Sequence, residues 1–210
     1  MRIQILVDNI KSYIIPYAKE LNEYFLSLKY ESCLIHNSQE VVEGDILFLL
    51  SCQNIFKDLH LNKHNIVVHA SDLPKGRGWS PLTWQILEGK NEIVVSLFEA
   101  VLQVDAGDIY LQDKLVFEGH ELLPELQAKL GQTIVKLIKA FVEKYPNIQG
   151  KKQIGKPTYY PKRTPKDSEL DINKTINEQF NLLRVCDNEQ YPAFFVKDGI
   201  KYILKIEKSQ

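Results

Sequence analysis

Two spacings of apolar residues run through the 210-residue chain, one near 3.6 and one near 2, and they divide it into helices and strands. Residues 2–7 form a short β-rich run. Residues 12–28 follow with Ile14, Ile15, Ala18, Leu21, Phe25 and Leu28 on one stripe, which predicts a β-α opening. Residues 32–36 and 45–50 predict two further strands, the second apolar on both faces as a central parallel strand is. A short helix is expected over 53–60 and another strand over 65–68. Ser80 and Pro81 predict a helix through Leu87, with serine at the N-cap, proline at the first helical position and Gly89 as the stop. Residues 92–98 and 109–117 are read as strands. The second is polar at Gln112, Asp113 and Lys114, which makes it a hairpin or edge strand. The longest amphipathic helix is expected over 120–145, where Leu122, Leu126, Leu130, Ile134, Leu137, Ile138 and Phe141 face the core.

From 147 to 167 the composition shifts to Gly, Pro, Lys and Tyr, which predicts a linker. Beyond it, 172–185 is read as a helix, and 193–196 and 201–206 as a hairpin closed through Asp198-Gly199. Strands alternating with helices predict an α/β fold, a doubly wound, mostly parallel twisted sheet. The expected division is a catalytic domain over 1–150, then a linker and small C-terminal subdomain over 151–210. The turn after the first strand has no glycine, so the dinucleotide fingerprint is absent.

Composition adjusts this picture in three respects. A net charge of −1 gives no general attraction to polyphosphate backbones, which argues against nucleic acid as a partner. Cys33, Cys52 and Cys186 lie far apart without metal-ligand spacing, so free thiols and no metal are expected. The opening residues are too short and too interrupted for a signal peptide or membrane span, so a cytoplasmic protein with no membrane partner is expected.

Chemistry concentrates after the strand over 65–68. There the run His69-Ala70-Ser71-Asp72-Leu73-Pro74-Lys75-Gly76-Arg77-Gly78-Trp79-Ser80-Pro81 leads into a helix. In an open α/β sheet the carboxyl ends of the strands border the ligand crevice, where a histidine is placed for catalysis. After the next strand comes Val104-Asp105-Ala106-Gly107-Asp108-Ile109, two carboxylates around a glycine. A lone histidine and a lone aspartate are more often structural, so neither residue decides the matter alone.

The two motifs together, His-x-Ser-x-Leu-Pro-x-x-Arg-Gly-x-x-Pro and Val-Asp-x-Gly-Asp-Ile in that order, resemble the signature of the folate-dependent formyltransferases. The run from Arg163 to Ser168, continuing to Phe180–Arg184, resembles the segment beyond the catalytic domain in the methionyl-tRNA and sugar-nucleotide branches. The appendage is shorter than the C-terminal barrel of the methionyl-tRNA enzymes, which favours the sugar-nucleotide branch. The resemblance implies that N10-formyltetrahydrofolate gives its formyl group to the 4-amino group of a nucleotide-linked 4-amino-4,6-dideoxy sugar. UDP-4-amino-4,6-dideoxy-N-acetylaltrosamine is favoured in this reading, with GDP- and dTDP-linked sugars open, and surface glycan synthesis is the implied setting. It implies His69 and Asp105 as the catalytic pair and a cofactor loop holding Leu102, Val104, Asp105 and Asp108. Oligomeric state is left open, a homodimer included.

Formyl transfer needs a neutral amine, an oxyanion partner and a proton acceptor. His69 suits the last role, since an ordinary histidine is mostly neutral at pH 7. The family's catalytic asparagine is Val67 here, which cannot donate a hydrogen bond. Asn65 would stand about 13 Å from His69 along an extended strand, out of reach. Ser51 and Cys52 leave the end of another strand and either could approach His69 if the two strands are neighbours, so Ser51 is the expected oxyanion donor, with protonated His69 as the remaining partner. Lys75 and Arg77 are expected to hold a pyrophosphate, and Trp79, Tyr160 and Arg184 complete the expected substrate contacts. Hydrolysis of formyltetrahydrofolate and non-catalytic folate or nucleotide binding stay open as alternatives.

Overall fold

The computed structural model describes residues 1–209. Four strands, β1 (Arg2–Leu6), β2 (Glu31–Ile35), β3 (Gly44–Leu49) and β4 (Asn62–His69), are mutually parallel. β6 (Glu92–Glu99) and β7 (Ile109–Val116) continue the sheet antiparallel, in the order β2-β1-β3-β4-β6-β7. The α/β architecture is thus as expected, with β7 the polar edge strand, and the sheet is mixed because the return from β4 is antiparallel.

Alternation along β3 divides the interior. Ile46, Phe48 and Leu50 join the large core with helices α1 (Ile15–Ser27) and α3 (Leu123–Lys144), whereas Leu47 and Leu49 face the other way with Leu6, Ile35, Val41 and Phe56. The stripe Leu126, Leu130, Ile134, Leu137, Ile138 and Phe141 of α3 is buried as its periodicity predicts. A Cβ on its Gly131 would overlap the Tyr17 ring, so glycine lets α3 lie against α1.

The second face carries no long helix. The helix expected over 53–60 is absent, because the Asp8 carboxylate takes the amides of Gln53 and Asn54 at 2.9 Å and diverts the chain before a turn can form. Only a short 3₁₀ turn, Leu59–Leu61, remains. Helix α2 (Pro81–Leu87) has the expected proline at its start, but Ser80 sits left-handed at φ 47° and its side chain caps nothing.

The largest departure is the expected linker. Lys151 exchanges two 2.8 Å backbone hydrogen bonds with Ile109. Further on, β8 (Tyr159–Tyr160) pairs in parallel with β5 (Arg77–Gly78), inside the glycine-rich loop. Neither stretch has the alternation that announces a strand, and the pairing joins residues about eighty positions apart. The segment after α3 is therefore built into the half of the chain that precedes it. The helix expected over 172–185 is reduced to a 3₁₀ turn and α4 (Phe180–Arg184), since Thr175 and Asp171 capture Glu178 and Gln179 side chains in local turns. The closing hairpin forms as predicted, β9 (Ala193–Lys197) with β10 (Ile200–Leu204), turning through Asp198 and Gly199 at φ 52° and 78°. Among the described residues no helix is long and apolar enough to cross a membrane.

Candidate active site

His69 is the last residue of β4 and pairs with Ser96 of β6. It is 8% exposed, and Phe98 meets its ring edge-to-face at 6.5 Å. The chain beyond it is pinned at each turn. Gln85 donates to the Ala70 carbonyl at 2.6 Å, Ser96 Oγ to the Ser71 carbonyl at 2.7 Å, and Ser71 Oγ to the Lys75 carbonyl at 2.8 Å. Thr158, on the segment after α3, accepts from Gly76 N at 2.8 Å.

These bonds hold the Gly76 carbonyl 2.8 Å from His69 Nε2. A carbonyl can only accept, so Nε2 carries the hydrogen in the neutral ring and Nδ1 keeps a lone pair. Asp105 Oδ2 stands 3.8 Å from the same Nε2, too far for a hydrogen bond but close enough to stabilise an imidazolium. At that distance Asp105 can reach the ring by charge alone, and the tautomer is set by Gly76.

Asp105 is itself held. Its Oδ2 accepts the Gly78 amide at 2.7 Å, which ties it to the glycine-rich loop. Its backbone is left-handed at φ 52°, a conformation that costs a non-glycine residue about 1–3 kcal/mol and persists where neighbours impose it. Gly107 allows the loop to lie on β6, since any Cβ there would overlap the Glu99 carbonyl oxygen. Beside Asp105, Leu102 is 81% exposed, and Val101 and Val104 are exposed as well, while Asp108 is half-buried with its carbonyl accepting Glu99 N. A row of solvent-facing apolar side chains next to a charged pair is the lining an aromatic ligand would cover.

Other predicted residues separate from this pair. Arg77 is only 6% exposed, and its Nη2 donates to Gln153 Oε1 at 2.6 Å, so it braces the loop from inside and does not present a guanidinium to a pyrophosphate. Arg184 is 0% exposed. It faces Glu121 at 3.6 Å and Asn91 at 3.1 Å; its Nε and Nη1 have no hydrogen-bond partner, but at this burial a substrate does not reach them, so it serves as a structural cation. Lys75 and Trp79 are exposed, with Lys162 over the Trp79 ring at 4.7 Å. Tyr160 stacks on Trp84 and gives its hydroxyl to Glu88 at 2.9 Å.

Val67 pairs with Leu49 across β3 and β4 and packs against the second-face cluster, an apolar position two residues before His69. Asn65 is buried beneath it, donating to the Leu59 carbonyl at 2.8 Å. Ser51 is exposed and left-handed at φ 51°, at the end of β3. Burial pushes the nearby Tyr13 phenol up to about 12, with a Ser51 hydrogen bond opposing it. Gln153 is the residue that sequence reasoning missed. A glutamine within a Gly- and Lys-rich run carries no local signal.

No family model matches the chain. Over 119 residues it is 34% identical to methionyl-tRNA formyltransferase of Coprothermobacter proteolyticus, a match that spans 56% of this chain and 39% of that protein. The chain thus matches well under half the length of this curated relative. Among solved structures it is similar to methionyl-tRNA formyltransferase from Clostridium thermocellum, at TM-score 0.85 and 23% identity over 100% of this chain and 94% of that one. It is also similar to a 4-N formyltransferase from Francisella tularensis, at TM-score 0.74 and 19% identity over 100% and 98%. HypX from Aquifex aeolicus in complex with tetrahydrofolic acid matches at TM-score 0.76 and 16% identity over 98% of this chain and 37% of that one. The chain shares its fold with these structures, two of them formyltransferases.

Proposed function

We propose that the chain transfers a formyl group from N10-formyltetrahydrofolate to the amine of a nucleotide-linked 4-amino-4,6-dideoxy sugar. The observation that carries the reading is the buried His69, with Nε2–H committed to Gly76, Nδ1 free and the Asp105 carboxylate 3.8 Å behind the ring. The folate would lie along Leu102, Val104 and the Asp105–Asp108 turn, whose exposed apolar side chains suit an aromatic ligand. When bound, it supplies the formyl carbon and departs as tetrahydrofolate.

The chain's own contribution is proton transfer and charge. As the amine nitrogen bonds to the formyl carbon, its proton goes to His69 Nδ1. The ring becomes an imidazolium beside Asp105, which favours that charged form, and would return the proton to the donor's leaving nitrogen as its bond to the formyl carbon breaks. Lys75 and Trp79, two of the exposed residues of the glycine-rich run, are offered to the nucleotide. Ser51 remains the proposed oxyanion donor in place of the missing asparagine, with the protonated ring as the second source of stabilisation.

The choice of acceptor rests on charge. With 26 Lys and Arg against 27 Asp and Glu, the chain has no overall cationic excess to attract an RNA backbone. The similarity to methionyl-tRNA formyltransferase favours a second reading, with methionyl-tRNA as acceptor. Incubating the chain with N10-formyltetrahydrofolate and, separately, UDP-, GDP- and dTDP-linked 4-amino sugars and methionyl-tRNA tests both, with products read by mass spectrometry. The proposal expects an amide on the UDP-linked sugar and no product on tRNA. Formyl-methionyl-tRNA would establish the second reading, and formate released without any amine would make the protein a hydrolase.

A further inference from the structure

Gln153 joins the two loops that carry the catalytic pair. Its Nε2 donates to the carbonyls of Asp105 at 2.8 Å and Gly107 at 2.9 Å, and its Oε1 accepts from Arg77 Nη2 at 2.6 Å. Both amide hydrogens and the carbonyl are thereby used. Arg77 stands one residue before Gly78, whose N–H holds the Asp105 carboxylate. Arg77, Gln153 and Asp105 therefore form a ring that closes through Gly78, with the expected linker supplying the member that joins the others.

We infer that Gln153 is a positioning residue that fixes Asp105 against His69, so that the segment after α3 governs catalysis in the preceding domain. The inference rests on the formyl-transfer reading and deepens it. Three features make Gln153 the keystone. Asp105 holds a left-handed backbone, which aspartate tolerates better than most residues, so neighbouring contacts are needed to select it. Gln153 supplies two of them, on either side of Ala106. Its own placement is fixed two residues earlier, where Lys151 and Ile109 exchange paired backbone hydrogen bonds. A Cβ on Gly150 would crowd Asp108, so the segment runs in close contact with the loop it braces. Finally, Arg77 is nearly fully buried and its Nε has no partner, which leaves Gln153 as the acceptor that anchors its guanidinium.

The test uses Gln153→Ala and the near-isosteric Gln153→Glu in the full chain, measuring kcat, KM for the formyl donor and hydrogen exchange at the Gly78 amide. A carboxylate at 153 still accepts from Arg77 but has no hydrogen for the two carbonyls, so both variants should fail alike. Misplacing a catalytic group by about 1 Å can cost about 10²-fold in rate. We expect kcat to fall by that order, donor KM to move less than about threefold, and Gly78 exchange to accelerate. Combined with Asp105→Ala, Gln153→Ala should add little further loss, because it acts through Asp105. If Gln153→Glu keeps full kcat, or if the losses in the double variant multiply, the inference is overturned. Should Asp105→Ala retain turnover, the catalytic reading fails instead, and exchange at Gly78 alone decides whether Gln153 holds the loop.

Discussion

Replacing Asp105 by asparagine removes one charge and leaves the shape of the site nearly intact. The amide oxygen can still accept the Gly78 N–H that Oδ2 accepts at 2.7 Å, so the loop should keep its position. The charge 3.8 Å from His69 Nε2 is what disappears. Both side chains are about nine-tenths buried. At an effective dielectric constant of about 20, opposite charges at that distance attract by about 4 kcal/mol. That interaction exists only while the ring is an imidazolium, after His69 has taken the amine proton. Its loss therefore falls on the chemical step and is worth up to about 10³-fold in kcat, with KM nearly unchanged. Steady-state kinetics on purified Asp105→Asn, alongside a thermal melt to show equal folding, measures this. A kcat within threefold of wild type would refute the reasoning, since either no imidazolium forms or Asp105 does not stabilise it.

Two other perturbations test the frame and the open position in the site. Burial pushes the Glu121 carboxyl up, but Lys129 at 2.8 Å and the amides of Glu118 and Gly119 outweigh it and hold it at about 2, down from its ordinary 4.5. A depressed carboxylate stabilises the fold fully above the unfolded value and loses that contribution as pH falls from about 4.5 towards 2, here about 3 kcal/mol. Glu121→Gln should remove this acid limb and, by leaving buried Arg184 without its counter-charge, cost about 3–5 kcal/mol in urea unfolding at pH 7; an unchanged midpoint would contradict it. Ser51→Ala should lower kcat by about 10²- to 10³-fold with KM changed much less if the hydroxyl meets the oxyanion. Full kcat would leave that role to protonated His69.

The parts of the fold that periodicity describes were legible. The apolar run of β3 announced a central strand, and the stripe of α3 announced its buried face, because each element is stabilised by its own pattern against one core. The meeting of His69 and Asp105, 3.8 Å apart, was legible for a different reason, since the two residues sit in two ordered motifs at strand ends. What stayed hidden depends on partners distant in the chain. β5 and β8 are two-residue strands that exist only through each other. Gln153 acquires its role from carbonyls 46 and 48 positions away. Arg77 looked like a phosphate ligand because a glycine-flanked arginine usually lies open, and only the folded segment over 151–160 shows it covered. Arg184 was expected among the substrate contacts, but it lies buried facing Glu121 at 3.6 Å, which removes it from the substrate's side.

The central claim is that His69 accepts the proton from an amine as formyl is transferred. A single-turnover reaction with formyl-labelled N10-formyltetrahydrofolate and the UDP-linked 4-amino sugar tests it most directly, comparing wild type with a folded His69→Ala variant. The account predicts label in the sugar amide with wild type and a rate about 10²- to 10⁴-fold lower with the variant. Equal label transfer by both proteins would contradict it.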